Sequence, residues 1–363
     1  MGWLWKAGWN IGKQTRRTNF ILPTCSGPHF SVEDIQAAMD ISTGHHFIID
    51  GEFRKVSIGH MKQHPELAFS IYQCAIGGRK EVLDACSEIE RLSQLRHPNL
   101  LSLMGYCHDK PQNQILLLYE HIGFGTLHSY LYGSKTNNHL QWKHRLKIGI
   151  GVAQGLDYLH KGTKKTIIHY NVRPENIILN ENLRPKILNS GLSKLGPVAN
   201  LEKARNETES AWLEYLSPEA MTPGFQSSEK SDVYSFGLVL LELLCSQKTK
   251  NFHLYSGNDE RYLKHWVKNH IKTKKLEEVI DPSVEWEIAS TCLGEFLKIA
   301  FSCLRFHKRE RPSMSYVNEK LKFAMQLQEK AEARFQDFMG NGLDGGFNLE
   351  DVYQYITPYL EYD

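Results

Sequence analysis

The residues best suited to chemistry lie in one short stretch. Ile167-Ile168-His169-Tyr170-Asn171-Val172-Arg173-Pro174-Glu175-Asn176-Ile177-Ile178-Leu179 is a polar loop entered and left by apolar runs, and Pro185-Lys186-Ile187-Leu188-Asn189-Ser190-Gly191-Leu192 follows it. An amide at 171 can orient a hydroxyl but cannot take up a proton near neutral pH, so it cannot serve as a general base. Asn176 and Asn189 offer neutral oxygens, whereas a hard cation such as Mg²⁺ prefers carboxylates. Arg173 supplies a permanent cation. The loop is rich in polar side chains, with amides at 171 and 176 and a third beyond it at 189.

The chain that must position them has 363 residues, 41% hydrophobic and 23% charged, which is ordinary for a globular protein. That length allows one two-lobed domain or two small ones. A formal net charge of +2 gives no reason to expect nucleic acid. The 7 cysteines are scattered without C-x-x-C pairs, which points to a reducing compartment and away from a disulfide framework or a zinc site. The sequon Asn206-Glu207-Thr208 is then a chance match. The longest strongly apolar segment, Val233 to Cys245, is interrupted by Glu242 and is too short to span a bilayer. The start lacks the apolar core of a signal peptide. A cytoplasmic protein is expected, either free or peripheral at the plasma membrane.

Residues 1–28 form an arm in which Trp3, Trp5 and Trp9 interleave with Lys6, Lys13, Arg16 and Arg17. It reads as a membrane-surface anchor or as a tail that is disordered or packed on the domain. Gly2 suits myristoylation, but Lys6 stands where that motif needs Ser or Thr. Phe30 to Met39 reads as a helix capped by Ser31, with Asp34 where a capping box places Glu or Gln. Short β-like runs fill Phe47 to Ile76, and a helix is expected over Lys80 to Leu95 with Val82, Leu83, Ala85, Cys86, Ile89 and Leu92 on one stripe. Ile115 to Tyr119 is an apolar strand, Glu120 to Gly123 a hinge, and helices dominate from Gly125 onward. Strands before helices predict a small β-rich lobe joined to a larger helical one. A last helix runs from Ser315 to about Met339, with Val317, Leu321, Ala324 and Met325 inward. The tail to Asp363 holds Phe347, Tyr353, Tyr355, Tyr359 and Tyr362 among acids, with no Lys or Arg. It reads as a partner-docking peptide, a strap over the chain's own basic surface, or a disordered end, and docking is favoured.

These residues carry a resemblance. Ser87-Glu88-Ile89-Glu90-Arg91-Leu92-Ser93-Gln94-Leu95-Arg96-His97, Leu103-Met104-Gly105-Tyr106-Cys107, Gly125-Thr126-Leu127, Gly155-Leu156-Asp157-Tyr158-Leu159-His160, Gly191-Leu192-Ser193-Lys194, Glu229-Lys230-Ser231-Asp232-Val233-Tyr234-Ser235-Phe236-Gly237 and Arg311-Pro312-Ser313-Met314 occur in the order of a protein kinase. From about Phe30 to about Phe323 the chain resembles plant receptor-like kinases, and within them the kinase domain of the malectin-like, FERONIA-type receptors. The resemblance implies an α+β, bilobal protein-kinase-like fold. Residues 29–121 would be the N-lobe, 122–339 the C-lobe with an extended last helix, and 340–363 an acidic aromatic tail. With no ectodomain or membrane helix ahead of the lobes, the organisation looks like a receptor-like cytoplasmic kinase.

The resemblance also implies roles, and the chain departs from many of them. Asn171 stands at the general-base Asp of H-R-D-x-x-x-x-N, and Asn189 at the Mg²⁺-holding Asp of D-F-G. Tyr170 replaces the Arg that meets a phosphorylated activation loop. Aligning Phe69-Ser70-Ile71-Tyr72 to the V-A-I-K run puts Tyr72 at the phosphate-holding Lys, leaving its usual partner Glu88 without it; Arg54 is one candidate replacement. Of the three Gly-rich-loop positions, Ile49, Gly51 and Arg54, one keeps its glycine. Tyr119, Glu120 and Asn176 are residual nucleotide-pocket positions, and Asn176 is expected to brace the loop by a hydrogen bond. By contrast Asp232, Glu219 and Arg311 are kept; in the family Asp232 braces the catalytic loop backbone and Glu219 pairs with Arg311.

Losing the Lys, both acids and two glycines leaves no part of a phosphoryl-transfer apparatus whole. The expected protein is therefore a pseudokinase without metal or cofactor. It would act as an adaptor, scaffold or decoy in plant receptor-kinase or immune signalling. Its partners would be active receptor-like kinases or an intracellular NLR immune receptor, with a membrane surface for the arm and no nucleic acid. Two other readings stay open: an atypical Ser/Thr kinase that uses another cation, and a nucleotide-sensing scaffold without transfer.

Overall fold

In a computed structural model of the chain, the described residues are 29–41, 56–61, 64–75, 86–87, 89–112, 114–122, 125–133, 140–188, 213–221, 228–248, 263–339 and 348–360; side chains are not described at 38–41, 56–61, 64–75, 213, 221 and 335–339. The fold is the expected bilobal kinase one. Helix α1 (Val32–Ile41) precedes β1 (Val56–Met61), β2 (His64–Ala75), β3 (Leu103–Asp109) and β4 (Gln114–Glu120). These strands form an antiparallel sheet in the order β1-β2-β4-β3. The second lobe holds α2 (Leu127–Tyr132), α3 (Trp142–Lys161), the hairpin β5 (Ile177–Leu179) and β6 (Pro185–Ile187), α4 (Glu229–Cys245), α5 (Leu263–Lys272), α6 (Ser290–Cys303), α7 (Met314–Met339) and α8 (Leu349–Leu360).

The run Ile115 to Tyr119 is apolar throughout because β4 is covered on both faces. Leu116 and Leu118 pack with Ile35 of α1, while Ile115, Leu117 and Tyr119 join the main core. That division follows the two-residue period of a strand. The chain enters along the sheet edge, where Phe30 N–H donates to the Tyr106 carbonyl at 2.9 Å. It then crosses the outer sheet face as α1. Asp34 completes a full capping box: the Asp34 N–H donates to Ser31 Oγ at 3.0 Å, and Ser31 N–H and Oγ–H donate to Asp34 Oδ2 at 3.0 and 2.9 Å. The shorter acid reaches because both Ser31 donors point at one carboxylate oxygen. In the stripe read over Lys80 to Leu95, Cys86, Ile89 and Leu92 are buried, and Val82, Leu83 and Ala85 lie outside the described residues.

Helix α4 is apolar nearly all round because the second lobe surrounds it. Glu242, which breaks its apolar run in sequence, is fully buried and accepts from Tyr215 Oη at 2.8 and 2.9 Å. Buried Arg145 ties three elements together. Its guanidinium donates to the carbonyls of Leu140 (2.8 Å) and Leu243 (3.0 Å) and pairs with Asp281 at 2.5 Å. The carbonyl at 243 belongs to the C-terminal turn of α4, where a cation is favoured. Cys107, Cys245, Cys292 and Cys303 are free and buried.

The lobes meet at the site. Leu101 N–H donates to the Ile187 carbonyl (2.9 Å) and Ile187 N–H to the Asn99 carbonyl (2.8 Å), so residues 99–101 extend the β5–β6 hairpin. The close packing of α4 on the end of α6 depends on Gly237, where a Cβ would stand 2.8 Å from Leu304 Cγ and 2.9 Å from Cys303 Cβ. We expect Gly237→Ala to lower the unfolding midpoint in a thermal melt. Overpacking costs about 1–3 kcal/mol, against the roughly 1 kcal/mol by which Ala outranks Gly in a helix.

Candidate functional site

The polar loop between α3 and β5 is built around one anion. Asp232, 1% exposed, is presented by the first turn of α4. Its Oδ2 accepts from His169 N–H at 2.8 Å and its Oδ1 from Tyr170 N–H at 2.8 Å. The His160 ring, at the end of α3, adds an Nε2–H bond of 2.8 Å to Oδ2. Two successive backbone N–H groups converge on one carboxylate because Tyr170 is left-handed, with φ 67°. Such a conformation is costly for a bulky L-residue, and successive N–H groups turned to one side form an anion nest. Here the nested anion is the chain's own.

From this point the loop is wired outward. His169, fully buried, uses both ring nitrogens: Nδ1 accepts from Asn171 N–H at 3.2 Å and Nε2–H donates to the Leu188 carbonyl at 2.8 Å. Those partners fix the neutral Nε2–H tautomer. Asn176 Nδ2 donates to the Asn171 carbonyl at 2.8 Å, the loop-bracing bond expected of it, and Leu188 N–H donates to the Asn176 carbonyl at 2.8 Å. Asn171 is thus held at its N–H and its C=O. Its side-chain amide, half-buried, has no hydrogen bond among the described residues. Arg173 Nε lies 3.8 Å from Glu175 Oε2, and neither of these buried atoms makes a hydrogen bond among the described residues.

Glu219 and Arg311 meet as the family pattern implies, in a bidentate pair with both N···O distances 2.7 Å. Arg311 also donates to the carbonyls of Arg305 (2.7 Å), Lys230 (3.0 Å) and Phe306 (2.9 Å), and its guanidinium lies 4.9 Å from the Tyr234 ring centroid. Burial alone would raise the Glu219 carboxyl. The Arg311 hydrogen bonds, with a backbone bond and the Arg311 charge, outweigh it and hold the group below 4.5.

Other predicted site residues fare differently. Tyr72 occupies a mid-strand position of β2, paired with Val56 and Leu117. Tyr119 is buried in the core. Glu120 turns its carboxylate to Lys186 Nζ (2.6 Å) and Ser102 N–H (2.8 Å), an inter-lobe pair that nothing in the spacing announces. Ile49, Gly51, Arg54, Glu88 and Asn189 lie outside the described residues. The His160 contact to Asp232 spans 72 positions and was likewise unread; its one signal is that His160 closes the last turn of α3. Among the described residues no group of three or more His, Cys, Asp or Glu could hold a metal ion. Among the described residues the loop offers the amides of Asn171 and Asn176 and the carboxylate of Glu175, which lies beside Arg173 and His128.

A family model described as protein tyrosine and serine/threonine kinase matches residues 43–321. Over 256 residues the chain is 42% identical to the receptor-like protein kinase ANXUR1 of Arabidopsis thaliana, covering 70% of this chain and 29% of that protein. It is 36% identical over 331 residues to the receptor-like protein kinase FERONIA of the same plant, covering 91% and 36%. It is 40% identical over 243 residues to the receptor-like protein kinase HERK 1, covering 67% and 28%. The chain thus spans about a third of the length of these curated relatives.

Two outcomes are expected of this wiring. Asp232→Ala should lose about 3–5 kcal/mol of stability, the usual cost of removing one member of a buried charged network, read by denaturant unfolding. The Glu219–Arg311 pair works through a depressed carboxyl, so its stabilisation is complete above the ordinary value of 4.5 and fades as pH falls through the lower folded value. Arg311→Ala should therefore flatten the acid limb of a stability-versus-pH curve.

Proposed function

We propose that this chain, which belongs to the protein tyrosine and serine/threonine kinase family, is a catalytically inactive pseudokinase that acts by shape. The observation that carries this reading is an amide side chain at Asn171, without a hydrogen bond among the described residues, inside a loop whose braces are all in place. A general base at that position must accept a proton, and a carboxamide does not do so near neutral pH. The sequence at Tyr72 and Asn189 points the same way, since it lacks the cation and the anion that hold phosphates and Mg²⁺.

The relatives are named receptor-like protein kinases, and that likeness supports a place in plant receptor-kinase or immune signalling. The partners proposed are active receptor-like kinases or an intracellular immune receptor, with the chain as adaptor, scaffold or decoy. No described helix is long and apolar enough to cross a membrane. We place the protein in the cytoplasm, with the Trp-rich basic arm as its contact to the membrane surface. The relatives' names favour a second reading, weak phosphotransfer.

Phosphate transfer by the purified full chain separates the two. Loss of general-base assistance alone lowers the rate by about 10²–10⁴. The pseudokinase reading expects no autophosphorylation above background with Mg²⁺ or Mn²⁺, and no nucleotide-dependent rise in the thermal midpoint. Metal-dependent autophosphorylation that survives rigorous purification and disappears in Asn176→Ala would overturn it. Co-purification from plant tissue should recover a receptor kinase or immune receptor; recovery of metabolic enzymes alone would count against the adaptor role.

A further inference from the structure

The acidic tail is not free. Residues 349–360 form α8, which lies on α6 and α5. Its buried residues Val352, Tyr353, Ile356 and Leu360 make one helical stripe. Of the three readings of the tail, the strap over a basic surface describes this arrangement. Lys274 pairs with Glu350 at 2.8 Å, Lys298 Nζ lies 4.4 Å from the Tyr359 ring centroid, and Arg305 donates to the Tyr359 carbonyl at 3.2 Å.

The contact is specific rather than merely greasy. Tyr353 Oη accepts from Leu276 N–H at 2.8 Å and donates to Glu277 at 3.2 Å. Tyr355 Oη donates to the buried carboxylate of Glu295 at 2.5 Å. The Tyr355 ring fits because residue 294 is glycine: a Cβ there would stand 2.9 Å from the ring.

The helix has little intrinsic support. It is 12 residues long with Pro358 inside it. Isolated helices of that length are marginal in water, and an internal proline removes a backbone bond and crowds the preceding turn. Its helicity therefore comes from docking. In sequence it is joined to α7 through a stretch containing Gly340, Gly342, Gly345 and Gly346, residues with the least backbone preference.

We propose that the face formed by α6 and the 274–277 turn is a docking groove for an acidic, tyrosine-bearing amphipathic helix. Residues 348–360 are its resident, displaceable occupant, and a partner helix of the same chemistry competes for it. Both sides select that partner: Lys274, Lys298 and Arg305 meet the occupant's acid, ring and carbonyl, Glu277 and Glu295 accept from its tyrosine hydroxyls, and the occupant itself carries no cation. Opening requires no change in the loop around Asp232, so the groove is independent of whether the chain transfers phosphate.

The test uses the full chain and a labelled synthetic peptide of residues 346–363, read by fluorescence anisotropy. Ile356→Asp in the chain removes the central anchor of its own tail and opens the groove. The peptide should bind this variant at least about tenfold more tightly than wild type, where a tethered occupant at roughly millimolar effective concentration must first be displaced. Adding Gly294→Ala to that variant should abolish the gain, and a peptide carrying the same Ile356→Asp change should not bind. Equal binding to wild type and Ile356→Asp would overturn the proposal, as would a gain untouched by Gly294→Ala. Loss of cooperative unfolding in Ile356→Asp would overturn it too, by making α8 an inseparable part of the core.

Discussion

The site depends on how one buried carboxylate is satisfied. Asp232 is removed from water, and an isolated anion in that position would be prohibitively costly. It is stabilised by three N–H donors drawn from two separate parts of the chain, the His160 ring and the backbone of His169 and Tyr170. The left-handed turn at Tyr170 is the geometric consequence. His169 then links the loop to Leu188 beyond β6, and Asn176 links it back to Asn171. The geometry of the loop is therefore set by where α4 lies, and α4 lies where the core of the second lobe puts it.

This wiring separates the bonds that hold the loop from the side chain at its centre. Each bond that holds residue 171 uses its main chain, N–H to His169 and C=O to Asn176. Among the described residues the side chain at 171 makes no hydrogen bond, so an exchange of acid and amide there breaks none of the bonds that hold the loop. Glu219 and Arg311 are the opposite case. Their side chains form the frame itself, and losing either strands a buried charge. Positions of the first kind are free to drift once transfer is no longer required, while positions of the second kind are not.

The inter-lobe ion pair carries a related lesson. Glu120 ends the last strand of the sheet, and its carboxylate is engaged by Lys186 of the β5–β6 hairpin and by the Ser102 N–H. The side chain of a residue that the resemblance places at the nucleotide pocket thus also forms a clasp between lobes. The tail makes the same point. Its acids and tyrosines read as a docking peptide, and the surface they dock on is the chain's own, where Lys274, Lys298 and Arg305 lie.

Local pattern was enough for the elements. The apolar run at 115–119, the Ser31 cap, the inward stripe Val317, Leu321, Ala324 and the order of kinase strings all act over a few residues, where periodicity and side-chain type decide the outcome. The missing acids at 171 and 189 were legible for the same reason, since a residue type is a local fact. What only the tertiary structure decided is every bond that spans the chain: His160 to Asp232, Lys186 to Glu120, Arg145 to Asp281, and Tyr355 against Gly294. Those contacts arise from burying one helix against another. Spacing along a sequence does not encode which buried charge will face which donor until the core has chosen how its helices cross.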